Sequence, residues 1–148
     1  MLLSRGCEYG LRATLYLVSL KADGFVPIRR LSDQLDIEFH FLTKLFQQLT
    51  EAGLVHSQRG PKGGVALARS ADRVTPMDVV LAIDGPDLFK ECVLGLPGCG
   101  EQRPCPLHET WALERERLRM MFLHTSLMKM AEEMKTEGFR LKRSGTIS

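Results

Sequence analysis

Five residues, Gly60-Pro61-Lys62-Gly63-Gly64, constrain this chain more than any others. Neither a helix nor an unbroken strand can run through them. The segments on either side, 54–59 and 65–69, are short and alternate apolar with polar residues, imperfectly in the first. The stretch therefore reads as the tip of a two-stranded antiparallel hairpin. Everything before it has a helical period. Residues 5–21 place Leu11, Leu15 and Val18 on one side, with Ala13, Tyr16 and Leu20 beside them, and stop at Asp23-Gly24. Residues 29–35 give a two-turn helix and Asp36-Ile37 a turn. A third helix follows, with Phe39, Leu42, Leu45, Phe46 and Leu49 inward and Ala52-Gly53 at its end. Three helices and then a glycine-tipped hairpin is the order of a winged helix-turn-helix. In that arrangement the third helix is the recognition helix. Its polar row, His40, Thr43, Lys44 and Gln47, has the spacing of one helical face and side chains able to meet base edges or phosphates in a major groove.

The formal charge is only +2, from 20 Lys and Arg against 18 Asp and Glu, so overall charge does not argue for nucleic acid. Its distribution does so weakly. No acid falls between Glu51 and Asp72, where His56, Arg59, Lys62 and Arg69 lie. With 44% hydrophobic and 26% charged residues, a length of 148 fits one globular domain plus an appendage. Apolar runs are cut by Arg12, Thr14, His124 and Lys129, and the first residues lack a secretory pattern. A cytoplasmic protein without a membrane span is therefore expected. A hydrolase-like enzyme is not expected, because no Ser/His/Asp arrangement or phosphate loop is visible.

Beyond the hairpin, Thr75 as N-cap and Pro76 at the first helical position open a helix that runs to Asp84-Gly85-Pro86. Residues 85–108 form a Gly/Pro-rich loop, longer than a compact domain usually tolerates unless something organises it. Residues 109–137 read as one long helix without internal Pro or Gly. It is apolar on more than one face, from Trp111 through Met120 to Met134, so it needs its own domain on one side and most simply a second copy on the other. Trp111 is expected in the core at its base and the methionines in the interface. Residues 138–148 read as a basic, mobile tail. The expected fold is mostly α: a winged helix-turn-helix DNA-binding domain over 1–84, a cysteine loop, and a long C-terminal dimerisation helix.

The loop carries Cys92, Cys99, Cys105 and His108, separated by six, five and two residues. Three thiolates and an imidazole can converge on one soft centre, zinc or an iron–sulfur cluster. The spacing is neither that of a zinc finger, with its close cysteine pairs, nor the compact ferredoxin run, and it suits a cluster better than a single ion. Cys7, alone on the first helix, reads as a packed small residue.

On these residues the chain resembles the IscR- and NsrR-type regulators (the Rrf-two family), dimeric winged-helix transcription factors with an iron–sulfur cluster. The similarity runs to about residue 135. It is carried by Tyr9-Gly10-Leu11-Arg12-Ala13, by Leu49 with Gly53-Leu54-Val55, by Arg59 to Gly64, by Asp78-Val79-Val80 with Ile83-Asp84, and by the three cysteines. The resemblance implies a cluster of the two-iron or four-iron type on Cys92, Cys99 and Cys105. Cys105, His108 and Trp111 are similar to residues of the IscR branch, where the histidine is a ligand. In NsrR-like members an acid at the position of Glu8 reaches the partner's cluster, so His108 and Glu8 compete as fourth ligand. The first cysteine spacing is one residue longer than in IscR, and the recognition helix differs, so the operator sequence does not carry over. The implied function is a homodimer on double-stranded operator DNA. Its recognition residues would face bases, Arg59 and Lys62 would meet phosphate or the minor groove, and affinity would follow iron–sulfur status, nitric oxide or redox state. The alternative is a cluster-free relative that uses zinc or thiol redox chemistry, or acts as an interaction module.

Overall fold

The computed structural model describes residues 2–98, 100, 102–138 and 141. Helix α1 (Arg5–Leu20) begins at Ser4, whose hydroxyl accepts the Cys7 N–H at 3.0 Å, a standard N-cap. Helices α2 (Ile28–Leu35) and α3 (Phe39–Glu51) form the helix-turn-helix. The turn between them is possible because Asp36 takes left-handed geometry (φ 56°), which Asp tolerates better than most residues. Ile37 is buried just after it. Strands β1 (Val55–Gln58) and β2 (Gly64–Leu67) pair antiparallel, Val55 opposite Leu67. Val26 adds a third, single-residue rung through two 2.9 Å hydrogen bonds with Val65. That rung explains Gly64. A Cβ there would stand 2.1 Å from the Val26 carbonyl oxygen, and its φ is +145°. Helix α4 (Pro76–Ile83) starts with a full capping box between Thr75 and Asp78, as its Thr-Pro-x-Asp sequence implies.

The main core is one continuous cluster beneath these elements. Phe46, Leu42 and Leu49 of α3, Leu31 and Leu35 of α2, and Val55 and Val65 of the hairpin are almost wholly buried with Ala13 and Val79. At roughly 1.5–3 kcal/mol for each large apolar side chain removed from water, this packing fixes α3 relative to the hairpin. A smaller cluster joins Cys7, Met77, Val80 and Phe122, with Leu118 and Phe89 packed against it.

The C-terminal region corrects the expectation of one helix over 109–137. It is two helices, α5 (His108–Leu123) and α6 (Leu127–Glu137). The break has a local and a tertiary cause. Ser126 caps α6 by accepting the Lys129 N–H at 3.1 Å, and the Leu127 N–H donates to the Val74 carbonyl at 2.8 Å. This bond stitches the chain to the segment before α4 and turns α6 back along α1, where Leu127 and Ala131 complete the main core. Residues 127–137 thus pack with the winged-helix unit. Of the tail over 138–148, Gly138 closes α6 at φ 67° and Leu141 is buried, its carbonyl accepting a hydrogen bond from Arg12 at 3.3 Å. The other residues of that tail lie outside the described residues. Among the described residues no helix is long and apolar enough to cross a membrane.

Candidate nucleic-acid interface and cysteine loop

Helix α3 turns Leu42, Leu45, Phe46 and Leu49 inward, which leaves His40, Lys44 and Gln47 exposed and Thr43 half-exposed. Glu38 caps the helix, its carboxylate accepting the N–H groups of His40 at 3.0 Å and Phe41 at 2.7 Å. Those two backbone donors hold the Glu38 carboxyl below its ordinary range. The Thr43 hydroxyl donates to the Phe39 carbonyl one turn back, at 2.8 Å. What Thr43 can offer a ligand is therefore its methyl group and oxygen lone pairs.

Between α3 and the hairpin runs a groove of about 370 Å³. It brings together Thr43 and Gln47 of the recognition helix, Gln58 and Arg59 of the wing, and Arg29 at the start of α2. His40 and Lys44 lie outside its lining, and Lys62 is exposed in the turn at the hairpin tip. Arg29 is the residue that sequence reasoning missed. Its guanidinium sits 3.9 Å above the Phe39 ring, which holds the cation at the edge of the groove. The available signal was the pair Arg29-Arg30 just after Pro27-Ile28, in the first turn of a helix where charge and backbone N–H groups both favour an anion.

The cysteine loop leaves α4 through Asp84, which ties it to α1. The Asp84 carboxylate accepts the Ser4 backbone N–H at 2.9 Å and also the Ser4 hydroxyl. Burial, reinforced by the Asp84 carboxylate, pushes the Cys7 thiol up to about 12. Cys7 is thus a packed, neutral thiol, as its isolation in the sequence suggests. After a short tight turn over Asp87–Phe89, three side-chain hydrogen bonds from α5 grip the backbone just before Cys92. Trp111 Nε1 donates to the Glu91 carbonyl at 2.9 Å, and Arg115 donates to the Lys90 and Glu91 carbonyls at 2.7 and 3.2 Å. Phe89 meets Phe122 edge-on, with ring centroids 5.8 Å apart. Trp111 is accordingly a half-exposed clamp on the loop, not a core residue.

Cys92 is buried and Cys105 half-buried, and their sulfurs stand 3.5 Å apart although they lie thirteen positions apart in the chain. Cys99 lies outside the described residues. His108 opens α5, its N–H donating to the Cys105 carbonyl at 3.0 Å, so it follows Cys105 within one turn. Glu8 is exposed on α1, in a groove with Leu3, Arg5, Tyr9, Leu11 and Arg12. Among the described residues no three His, Cys, Asp or Glu side chains converge on one point. The pair that does converge fits a soft metal. Two thiolates on one tetrahedral ion, each about 2.3 Å from it, would sit about 3.8 Å apart.

A helix-turn-helix followed by a wing, with cationic and amide side chains along the groove between them, defines a winged-helix DNA-binding protein. The sequence places it more narrowly: the chain belongs to the Rrf2 family, described as iron-dependent transcriptional regulators, which matches residues 3–133. It is 32% identical to the HTH-type transcriptional regulator IscR of Xenorhabdus nematophila over 131 residues, 88% of this chain and 79% of that one. IscR of Yersinia pseudotuberculosis is 31% identical over 129 residues, 87% of this chain and 77% of the relative. Among solved structures, CymR, the global cysteine regulator of B. subtilis, superposes with a TM-score of 0.76 at 25% identity, over 88% of this chain and 95% of that one. T. potens IscR shares the fold, with a TM-score of 0.74 at 20% identity over 93% and 91% of the two chains. The protein is thus a transcriptional regulator, not an enzyme.

Proposed function

We propose that the chain works in the cytoplasm as a homodimer on double-stranded operator DNA, and that Cys92, Cys99 and Cys105 hold an iron–sulfur cluster that sets its affinity for that operator. The observation that carries this reading is the 3.5 Å approach of the Cys92 and Cys105 sulfurs, held by a loop that is itself clamped to α5. His108 is the fourth ligand available within the same subunit, one turn after Cys105. Glu8, exposed on α1, is the candidate a second subunit would supply. When bound, the cluster supplies a group sensitive to iron–sulfur supply, oxidants and nitric oxide.

The remaining work falls to the protein's own residues. Thr43 and Gln47 face base edges from inside the groove, with His40 and Lys44 on the helix surface beside it. Arg59 and Lys62 hold the wing to phosphate or the minor groove. Trp111 and Arg115 turn the position of the Cys92 segment into the position of α5. Because two recognition helices must meet two half-sites at one spacing, a shift in α5 at the dimer seam changes affinity without touching α3.

The test is anaerobic purification with iron, sulfide and visible-spectrum measurements on wild type, Cys92→Ala, His108→Ala and Glu8→Ala. A coloured, sulfide-containing wild type that bleaches in Cys92→Ala is expected. The spectrum of whichever of the other two variants shifts identifies the fourth ligand. A wild type without sulfide after anaerobic reconstitution would overturn the cluster reading.

A further inference from the structure

We propose that, whenever no metal centre occupies the loop, Cys92 and Cys105 close into a reversible disulfide with a hydroperoxide as oxidant. This goes beyond the cluster reading and shares with it only the approach of the two sulfurs. They stand 3.5 Å apart, so a bond of about 2.05 Å needs movement of roughly 1.5 Å, within reach of a glycine-punctuated loop. Gly95 and Gly98, with φ of 73° and 72°, lie between the two cysteines and have open space around them. The Leu94 N–H at 3.4 Å from the Cys92 sulfur keeps that side chain turned toward the approach.

Exposure divides the labour. Cys92 is 7% exposed, whereas Cys105 is half-open to solvent, so a hydroperoxide meets Cys105 first. The Cys105 sulfur attacks the peroxide, the O–O bond breaks, an S–O bond forms, and water or an alcohol leaves. Cys105 is then a sulfenic acid. The Cys92 sulfur attacks the Cys105 sulfur, the S–S bond forms as the S–O bond breaks, and the hydroxyl departs as water with the Cys92 proton. Two thiols have lost two electrons and the peroxide has gained them. Closure joins the segment held by Trp111 and Arg115 to the residue that accepts the His108 N–H. It also withdraws two metal ligands until a dithiol reductant restores them. The oxidised chain would therefore refuse a metal centre, a state distinct from simple loss of one.

The experiment uses the full-length, metal-free protein and its Cys99→Ala variant, each treated with equimolar hydrogen peroxide, alkylated and mapped by mass spectrometry. The expected result is a Cys92–Cys105 linked peptide in both, loss of two reactive thiols per chain, and full reversal by dithiothreitol. Cys92→Ser should instead leave a trappable sulfenic acid on Cys105. Linkage only through Cys99, or sulfinic acid on Cys105 with Cys92 still reduced in Cys99→Ala, would overturn the proposal. Iron loading of the reduced sample separates this from the cluster reading. A chain that takes no cluster yet forms the disulfide supports this inference and removes that one. A chain that takes a cluster yet forms no disulfide overturns this inference alone.

Discussion

The guanidinium of Arg29 is held over Phe39 at a groove that Gln47 and Arg59 also line, so as a DNA contact it would lose less side-chain entropy on binding than a free surface arginine. A phosphate contact of this kind should show in the salt dependence. Arg29→Ala is expected to weaken DNA binding by about 3- to 10-fold and to reduce the slope of log affinity against log salt by about 1, with specificity among sequences unchanged. Fluorescence anisotropy at several salt concentrations checks this, and an unchanged slope would remove Arg29 from the interface. Cys7 gives a second test at this scale. Its thiol is raised to about 12 from 9.0 by burial and by Asp84. Because the neutral form is the one the fold favours, the stabilisation is complete below the unfolded thiol's value and is lost as pH rises through the folded one. Cys7 should therefore resist alkylation in the native protein near pH 8 and react only on unfolding. Stoichiometric labelling of the native state at that pH would contradict the packing described.

Leu127 anchors the C-terminal elements to the winged-helix core. It is fully buried, and its backbone fixes the turn between α5 and α6 through Val74. Leu127→Ala should destabilise the fold by about 2–5 kcal/mol, read from urea unfolding. A loss below about 1 kcal/mol would mean α6 is only loosely docked. The same site shows where sequence reasoning stops. Helices α1 to α4 and the hairpin were legible because their signals are local: apolar periodicity and Asp23-Gly24 for α1, Thr75 as a cap, Pro76 at a first turn, Gly53 after α3, Gly63-Gly64 at the wing. The break after Leu123 was not, because the apolar pattern continues through it and its cause is a hydrogen bond to a residue more than fifty positions earlier. In hindsight Ser126, an N-cap residue inside an unbroken helical pattern, was the readable sign. At the site, the polar face that carries Thr43 and Gln47 followed from helical register and the place of Arg59 from the hairpin; that they line one groove is seen only in the fold. Arg29 and the Trp111–Arg115 clamp did not follow from the sequence, since each depends on which distant backbone the fold delivers to that side chain.

At the scale of the whole molecule, α5 is two-sided. Trp111, Arg115, Leu118 and Phe122 face the cysteine loop and the smaller core, while Leu113 (66% exposed) and Met120 lie on the opposite face with Met121 and Leu123 flanking them. In the proposed homodimer, an exposed apolar stripe of this kind would seat a second copy of α5. Leu113→Glu with Met120→Glu should yield a monomer by light scattering without loss of helical content, and DNA binding should weaken by more than tenfold. An unchanged dimer would move the interface elsewhere. In the proposed mechanism, control of DNA affinity by the cysteine loop runs through α5. Its most direct test begins by selecting a binding sequence from a random duplex library with anaerobically prepared protein. Affinity for that sequence is then compared among wild type, Cys92→Ala and Arg115→Ala, each before and after anaerobic cluster reconstitution. Loading should change wild-type affinity by at least about tenfold, Cys92→Ala should match the unloaded wild type, and Arg115→Ala should keep the centre yet lose most of the difference. Equal affinity of loaded and unloaded wild type would contradict it.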